Sequence, residues 1–307
     1  MLFDCFTFFN ELDILDIRLH EMAPVVDRFV LVEARKTFQG ADKPLYFQEN
    51  ARLFAPFLDK IEHVIVDFPI GIDSYRHAKS PAWAREYYQR DQIGRGLHQA
   101  TAHDLILISD VDEIVRASAL QRAKEALKPG QCAVFTGPSF AHYLNRQVQG
   151  EAWQLGPRLC HFSHFKSAQT VRSIKLHASR SLRGSRLGRW HTRIKNYGAC
   201  GFAGPLIEYD NAIWHFTSIG GWERFKAKIN AFAHEEERDN PAYHSEAAFL
   251  DHINRTSSPV ALSNLPAILT EKLSFYARHL DLSDINATPI PKEHDDEPVS
   301  YTHLTLP

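Results

Sequence analysis

The sequence predicts an α/β chain built on a largely parallel sheet, and three observations carry that expectation. Short apolar runs rich in β-branched and aromatic residues recur at 2–9, 29–33, 61–66, 104–108 and 132–135. Segments with apolar residues at helical spacing lie between them, which is the pattern of βαβ units. The fourth run ends abruptly in three carboxylates within four residues, Asp110, Asp112 and Glu113. Ligands of open α/β sheets bind beyond the carboxyl ends of strands, so that ending has the right place for a site.

The elements follow in order. After the first strand, Leu12, Leu15, Leu19 and Met22 keep helical spacing and stop before Pro24. Residues 34–47 hold Lys36, Gly40, Lys43 and Pro44 and read as a loop, and 48–58 as a short helix. A longer helix is expected from Pro81 toward Gln99, with Trp83, Tyr87, Arg90, Gly94 and Leu97 on one stripe. Another helix covers 117–127, closed by the Pro129-Gly130 turn, and 140–144 is extended. From there the alternation weakens. Residues 212–216 form a short apolar stretch around His215, Trp222, Phe225, Ile229 and Phe232 fall at helical spacing, and 262–280 read as a final helical region. The polar, Pro-rich segment from 283 predicts a disordered tail, and 301–307 have no assignable role and are expected to be partly artefactual.

Composition narrows the function classes. A chain of 307 residues, 44% hydrophobic and 23% charged, has ample length for a sizeable core. A formal net charge of −2 gives no general reason to expect nucleic acid or membrane as a partner. The four cysteines (Cys5, Cys132, Cys160 and Cys200) are scattered, with no Cys-x-x-Cys pair. Scattered thiols, no signal-peptide pattern at the first residues and no apolar run of membrane-spanning length make cytoplasmic the expected location. One local excess stands out: residues 166–195 hold nine Lys or Arg and no Asp or Glu. Such a run fits a solvated surface loop and a field that faces phosphates equally well.

Asp110 and Asp112 would point to the same side of an extended chain, because side chains alternate with period two. Two hard oxygen donors can serve one Mg²⁺ or Mn²⁺ that also takes phosphate oxygens. The same residues also make an ordinary polar turn at a strand end. His215, a single histidine in an apolar stretch, reads on the residues alone as a core residue. Arg85 and Arg90, on the helix before the carboxylates, could fork onto phosphates or pair with Glu86 and Asp91. Trp214 and Trp222 fit a sugar platform or the core.

Three stretches together resemble glycosyltransferase family 17. They are Asp4-Cys5-Phe6-Thr7-Phe8-Phe9-Asn10-Glu11-Leu12-Asp13 leading into 25–34, then Trp83-Ala84-Arg85-Glu86-Tyr87-Tyr88-Gln89-Arg90 with Ile108-Ser109-Asp110-Val111-Asp112-Glu113-Ile114, and Trp214-His215-Phe216-Thr217-Ser218-Ile219-Gly220-Gly221 with 228–235. The resemblance implies a GT-A-type fold: one catalytic domain over 1–282, with a Rossmann-like nucleotide-sugar half (1–130) and a mixed α+β acceptor half (131–282). It implies metal-dependent, inverting transfer of a sugar, N-acetylglucosamine being expected, from a UDP-sugar to a glycan or glycolipid acceptor. Asp110, Asp112 and His215 would hold Mn²⁺ or Mg²⁺. Asn10, Glu11, Glu33, Arg85, Arg90 and Asp110 would contact the nucleotide. An inverting transfer needs one general base, for which Asp210 is the first expectation and Glu208 and Glu236 are the others. A nucleotidyl- or phosphotransferase using the same aspartates, and a non-catalytic nucleotide-sugar-binding module, are the competing readings. No Gly-x-x-x-x-Gly-Lys-[Ser/Thr] loop supports a P-loop kinase.

Overall fold

The structure, a computed structural model, describes residues 1–177, 185–231 and 240–281. The expected base Glu236, residues 232–235 of the third stretch and the tail from 283 lie outside them.

Four strands form the parallel half of the main sheet in the order β4-β1-β2-β3: β1 (Leu2–Phe8), β2 (Arg28–Ala34), β3 (Ile61–Val66) and β4 (Leu105–Asp110). The remaining strands are β5 (Glu113–Val115), β6 (Cys132–Phe135), β7 (Ser139–Ala141), β8 (Arg146–Val148), β9 (Arg158–His161), β10 (Leu206–Tyr209), β11 (Ile213–Thr217) and β12 (Ser257–Pro259). The largely parallel expectation needs correcting to a mixed sheet. β9 inserts antiparallel between β4 and β6, so β6 and β10 again run in the direction of β4, and the order is β10-β6-β9-β4-β1-β2-β3. The α/β class is present, with helices packed on a mixed sheet. Strands from beyond residue 130 complete this sheet, while β5 from before it joins a second sheet of order β12-β8-β7-β11-β5.

Alternation along β1 divides the core. Leu2, Phe6 and Phe8 pack in one cluster and Phe3 and Cys5 in another, as period-two side chains of a strand covered on both faces must. Helix α1 (Leu12–Met22) lies on the first face, with Leu15, Ile17, Leu19 and Met22 fully buried. The helix expected at 48–58 is split into α2 (Tyr46–Asn50) and a 3₁₀ stretch, Ala51–Lys60, that contains Pro56 and a non-helical Phe54. The missing N–H of proline favours that break. Helix α3 (Pro81–Asp91), capped by the Ser80 hydroxyl, ends earlier than its apolar stripe suggests and continues as a 3₁₀ turn, Gln92–Leu97. Gly96 permits that turn to lie on the sheet, since a Cβ there would meet Val30 Cγ1 at 2.4 Å.

The later helices are α4 (Ala117–Ala126), α5 (Ala168–Arg172), α6 (Arg186–Cys200), α7 (Gly221–Ala231) and α8 (Glu246–Thr256). The final helical region is a series of short turns instead of one helix: Leu262–Asn264, Ile268–Glu271, Leu273–Tyr276 and Ala277–His279. Lys272, at φ −114° and ψ 44°, interrupts it. Its anchor is Asp13 of α1, which accepts from Arg224 Nη1 at 2.8 Å, Arg278 Nη2 at 3.0 Å and His279 Nε2 at 3.0 Å. The C-terminal turns are thereby tied to the first helix.

Candidate active site

The turn after β4 is held from beneath by one arginine. Arg18 of α1 and Asp4 of β1 are both fully buried, and the guanidinium grips the carboxylate with Nε at 2.8 Å and Nη2 at 2.5 Å. Its Nη1 then donates to the carbonyls of Asp110 (3.0 Å), Val111 (3.1 Å) and Glu113 (3.0 Å), and Nη2 to Ser109 Oγ (2.5 Å). A planar fork of five donors is suited to such a task. The Asp-x-Asp backbone is therefore fixed by side chains on β1 and α1, about 90 residues earlier in the chain.

β-sheet register brings in the partner of that turn. β11 pairs antiparallel with β5 so that His215 stands opposite Glu113, and Phe216 N donates to Asp112 O at 2.8 Å. Asp112 Oδ1 and His215 Nε2 then lie 4.0 Å apart. The other ring nitrogen of His215 is 3.1 Å from Ser139 Oγ, and Trp153 stacks on the imidazole with centroids 4.3 Å apart at 27°. Trp153 is itself fixed by donating from Nε1 to Glu113 Oε1 at 2.7 Å. Asp112, Ser139, Trp153 and His215 line a cleft of about 740 Å³, within the range of small-molecule sites.

The two aspartates differ in role. Asp110 is engaged by arginines on both oxygens, with Arg90 Nη2 at 3.0 Å and Arg172 Nη2 at 2.9 Å. Burial alone would raise its pKa; Arg172 and Arg90 outweigh that and hold the carboxyl well below the usual range. Glu113, wholly buried, accepts from Arg172 at 2.8 Å and from the Asp110 N–H at 3.1 Å. Asp110 thus belongs to an ionic lattice around the turn, while Asp112 faces His215.

The cleft lining joins two kinds of residue. Besides Asp110 and Asp112 it includes the charged side chains of Glu11, Lys36, Lys43, Glu86 and Arg90. It also includes an aromatic group in which Phe225 contacts Tyr243 and His142, the latter at a φ of 68° that is unusual for a residue other than glycine.

Of the residues expected to contact a nucleotide, Glu11, Arg90 and Asp110 line the cleft. Asn10 lines a small neighbouring hollow with Glu11 and Arg224. Glu33 is fully buried, accepting from Lys43, His63 and the Phe47 N–H. Arg85 supports the loop before α2, donating to Phe38 O at 2.8 Å and to Asp73 at 3.0 Å. Arg90 also makes the expected ion pair with Glu86, at 2.8 Å. Neither Glu208 nor Asp210 is among the cleft's lining residues. Both accept from Thr136 Oγ1 near the end of β10, three strands along the same sheet edge from β4, hence roughly 14 Å sideways at the usual strand spacing. Trp214 is a core residue under Arg116, and Trp222 packs on Phe249.

Sequence reasoning missed Arg18, Glu113, Trp153 and Arg172. Arg172 carried a signal as a member of the basic 166–195 run, and it does turn inward.

Among the described residues no group of three or more His, Cys, Asp or Glu side chains is arranged to hold a metal ion. Asp112 and His215 still fit one. Two ligands each about 2.1 Å from a single Mg²⁺ or Mn²⁺ can be up to about 4.2 Å apart, and such ions routinely take their other ligands from phosphate and water.

Residues 1–133 match the profile of glycosyltransferase family 17, the family the sequence resembles. Over 153 residues, 47% of this chain, the sequence is 31% identical to the β-1,4-mannosyl-glycoprotein 4-β-N-acetylglucosaminyltransferases of Homo sapiens and Rattus norvegicus. The match spans 26% of the length of those relatives. Two solved structures share parts of the arrangement at low similarity. One is the inositol-1-phosphate CTP transferase from T. maritima (TM-score 0.36, 12% identity, 71% of this chain and 89% of that one). The other is a glycosyltransferase involved in the glycosylation of the major capsid of PBCV-1 (TM-score 0.31, 10% identity, 83% and 99%).

Proposed function

We propose that this chain, which carries a glycosyltransferase family 17 domain over residues 1–133, transfers a sugar from a UDP-sugar to a glycan or glycolipid acceptor. N-acetylglucosamine, the sugar in the printed name of the curated relatives, is the first donor to test. The observation that carries the reading is the convergence of Asp112 and His215, from two of the stretches that resemble the family, 4.0 Å apart in one cleft.

In this reading Asp112 and His215 would hold Mn²⁺ or Mg²⁺, which when bound neutralises charge on the departing nucleoside diphosphate. Ser139 and the Trp153 ring fix the imidazole's orientation. Lys36 and Lys43 line the same cleft and bring positive charge to it, and Phe9 and Tyr46 pack against the Lys43 ammonium at 5.5 and 5.2 Å. Asp110 keeps Arg90 and Arg172 in place and so shapes the wall beside the diphosphate. The aromatic lining group of Phe225, Tyr243 and His142 suits the acceptor, whose sugar rings have an apolar face. A cytoplasmic, reducing setting goes with this reading, since all four cysteines are free thiols and Cys5, Cys132 and Cys160 are buried.

The test is release of UDP from a panel of UDP-sugars with Mn²⁺, with and without saccharide acceptors. The expected result is slow Mn²⁺-dependent hydrolysis of one donor, UDP-N-acetylglucosamine first, accelerated by acceptor. Tight UDP binding without turnover of any donor would favour a binding module. Turnover of nucleoside triphosphates in place of UDP-sugars would favour a nucleotidyl- or phosphotransferase.

A further inference from the structure

Helix α6 (Arg186–Cys200) is built inside out. It is a well-formed helix of 15 residues, opened by the Ser185 hydroxyl accepting from Gly188 N at 2.9 Å and closed by Gly201 at φ 73°. Its buried residues are Gly188, Thr192 and Asn196, spaced four apart and all small or polar. Asn196 holds the helix to the protein by a two-way bond with the Lys175 backbone, 2.9 Å in each direction. The large apolar residues are on the opposite side: Leu187 is 58% exposed, Trp190 61%, Ile194 47% and Tyr197 66%.

Those four positions fall within an arc of about 80° at the 3.6-residue period, so they form one continuous stripe. Arg186, Arg189 and Arg193 border it on one side and His191 and Lys195 on the other. No acidic residue occurs anywhere from 166 to 195. An exposed patch of this kind marks a binding surface more often than chance. Its chemistry is specific: an aliphatic and aromatic stripe including Trp and Tyr, edged on both sides by cations. That combination suits the headgroup region of a bilayer, where apolar side chains enter the acyl boundary, aromatic rings sit at the interface and cations meet anionic headgroups. Nucleic acid would use the cations but has no use for the aliphatic Leu187 and Ile194 of the stripe.

The geometry points to α6 as a peripheral anchor that lies flat on an anionic lipid surface. No helix among the described residues is long and apolar enough to cross a membrane, and interfacial binding needs none. The inference is independent of the sugar chemistry: the helix lies outside the cleft and none of its residues lines it.

The experiment is flotation of the full chain with vesicles of phosphatidylcholine alone or mixed with about a third phosphatidylglycerol, at low and high salt. The expected result is binding to the anionic vesicles only, weakened at least tenfold between about 50 and 500 mM NaCl as surface charge is screened. Two double variants separate the contributions, Trp190→Glu with Ile194→Glu, and Arg189→Glu with Arg193→Glu. Each is expected to cut the vesicle-bound fraction at least tenfold with an unchanged melting temperature and unchanged UDP affinity, because the replaced side chains are exposed. No binding by the parent chain, or binding that survives both variants, overturns the proposal. So does a dimer that dissociates on Trp190→Glu without vesicle binding, which would assign the stripe to a second copy. Binding to nucleic acid in preference to vesicles, lost only in the arginine variant, overturns it as well.

Discussion

Replacing Asp112 with asparagine is expected to lower kcat/KM for sugar transfer at least about 100-fold, equivalent to about 2.7 kcal/mol of transition-state stabilisation. The change keeps the side chain's shape and removes the charge that faces His215 at 4.0 Å. The Asp112 carbonyl, which accepts from Phe216 N at 2.8 Å, is untouched, so the pairing of the two strands and the melting temperature should hold. Mn²⁺ affinity, read by calorimetry in the presence of UDP, should fall with activity. Asp110→Asn should behave differently. It removes the carboxylate that Arg90 and Arg172, both largely buried, share. Each keeps one carboxylate partner, Glu86 and Glu113 respectively, but two buried cations then lie side by side with less charge to offset them. That variant should lose stability as well as activity. Equal effects of the two substitutions on melting temperature would contradict the division of roles between the aspartates.

Arg18→Met is expected to have the largest effect on stability of any single change near the site, a loss of about 3–5 kcal/mol. It leaves the Asp4 carboxylate, which has no exposed surface, without its partner, and strips three carbonyls and the Ser109 hydroxyl of their donor. Urea denaturation followed by tryptophan fluorescence measures it. Combining Arg18→Met with Asp4→Leu should recover much of that stability, because a buried ion pair replaced on both sides by apolar groups can be nearly neutral. Activity should not return, since the turn carrying Asp112 still lacks its support. Recovery of both together would mean that Arg18 serves only as the partner of Asp4.

Apart from the three-residue β5, the strands of the first 135 residues were legible in the sequence because their apolar runs are short, β-branched and separated by helical spacing. So was the strand-end placement of Asp110 and Asp112. The antiparallel insertion of β9 was not, because residues 158–161 carry no more signal than any short run, and sheet order depends on tertiary pairing. The meeting of Asp112 with His215 needed the β5–β11 register, which places Glu113 opposite His215 across about 100 residues of chain. The family resemblance named both residues without giving their contact. Arg18 and Asp4 could have been found from the residues alone. Asp4 shares the inward parity of Leu2, Phe6 and Phe8, and Arg18 borders the apolar stripe of α1. Opposite charges on two facing apolar surfaces imply a buried pair. Glu208 and Asp210 were chosen for their nearness in sequence to His215, but the chain passes at Asn211 (φ 48°) from β10 in the main sheet to β11 in the second, which leaves them in a different sheet from His215.

The most direct measurement is a crystal structure of the chain with UDP and Mn²⁺. The expected result is one Mn²⁺ bound by the Asp112 carboxylate and His215 Nε2 together with the diphosphate oxygens, the Asp110 carboxylate still gripped by Arg90 and Arg172. A Mn²⁺ and diphosphate seated elsewhere, with neither Asp112 nor His215 among the ligands, would contradict it.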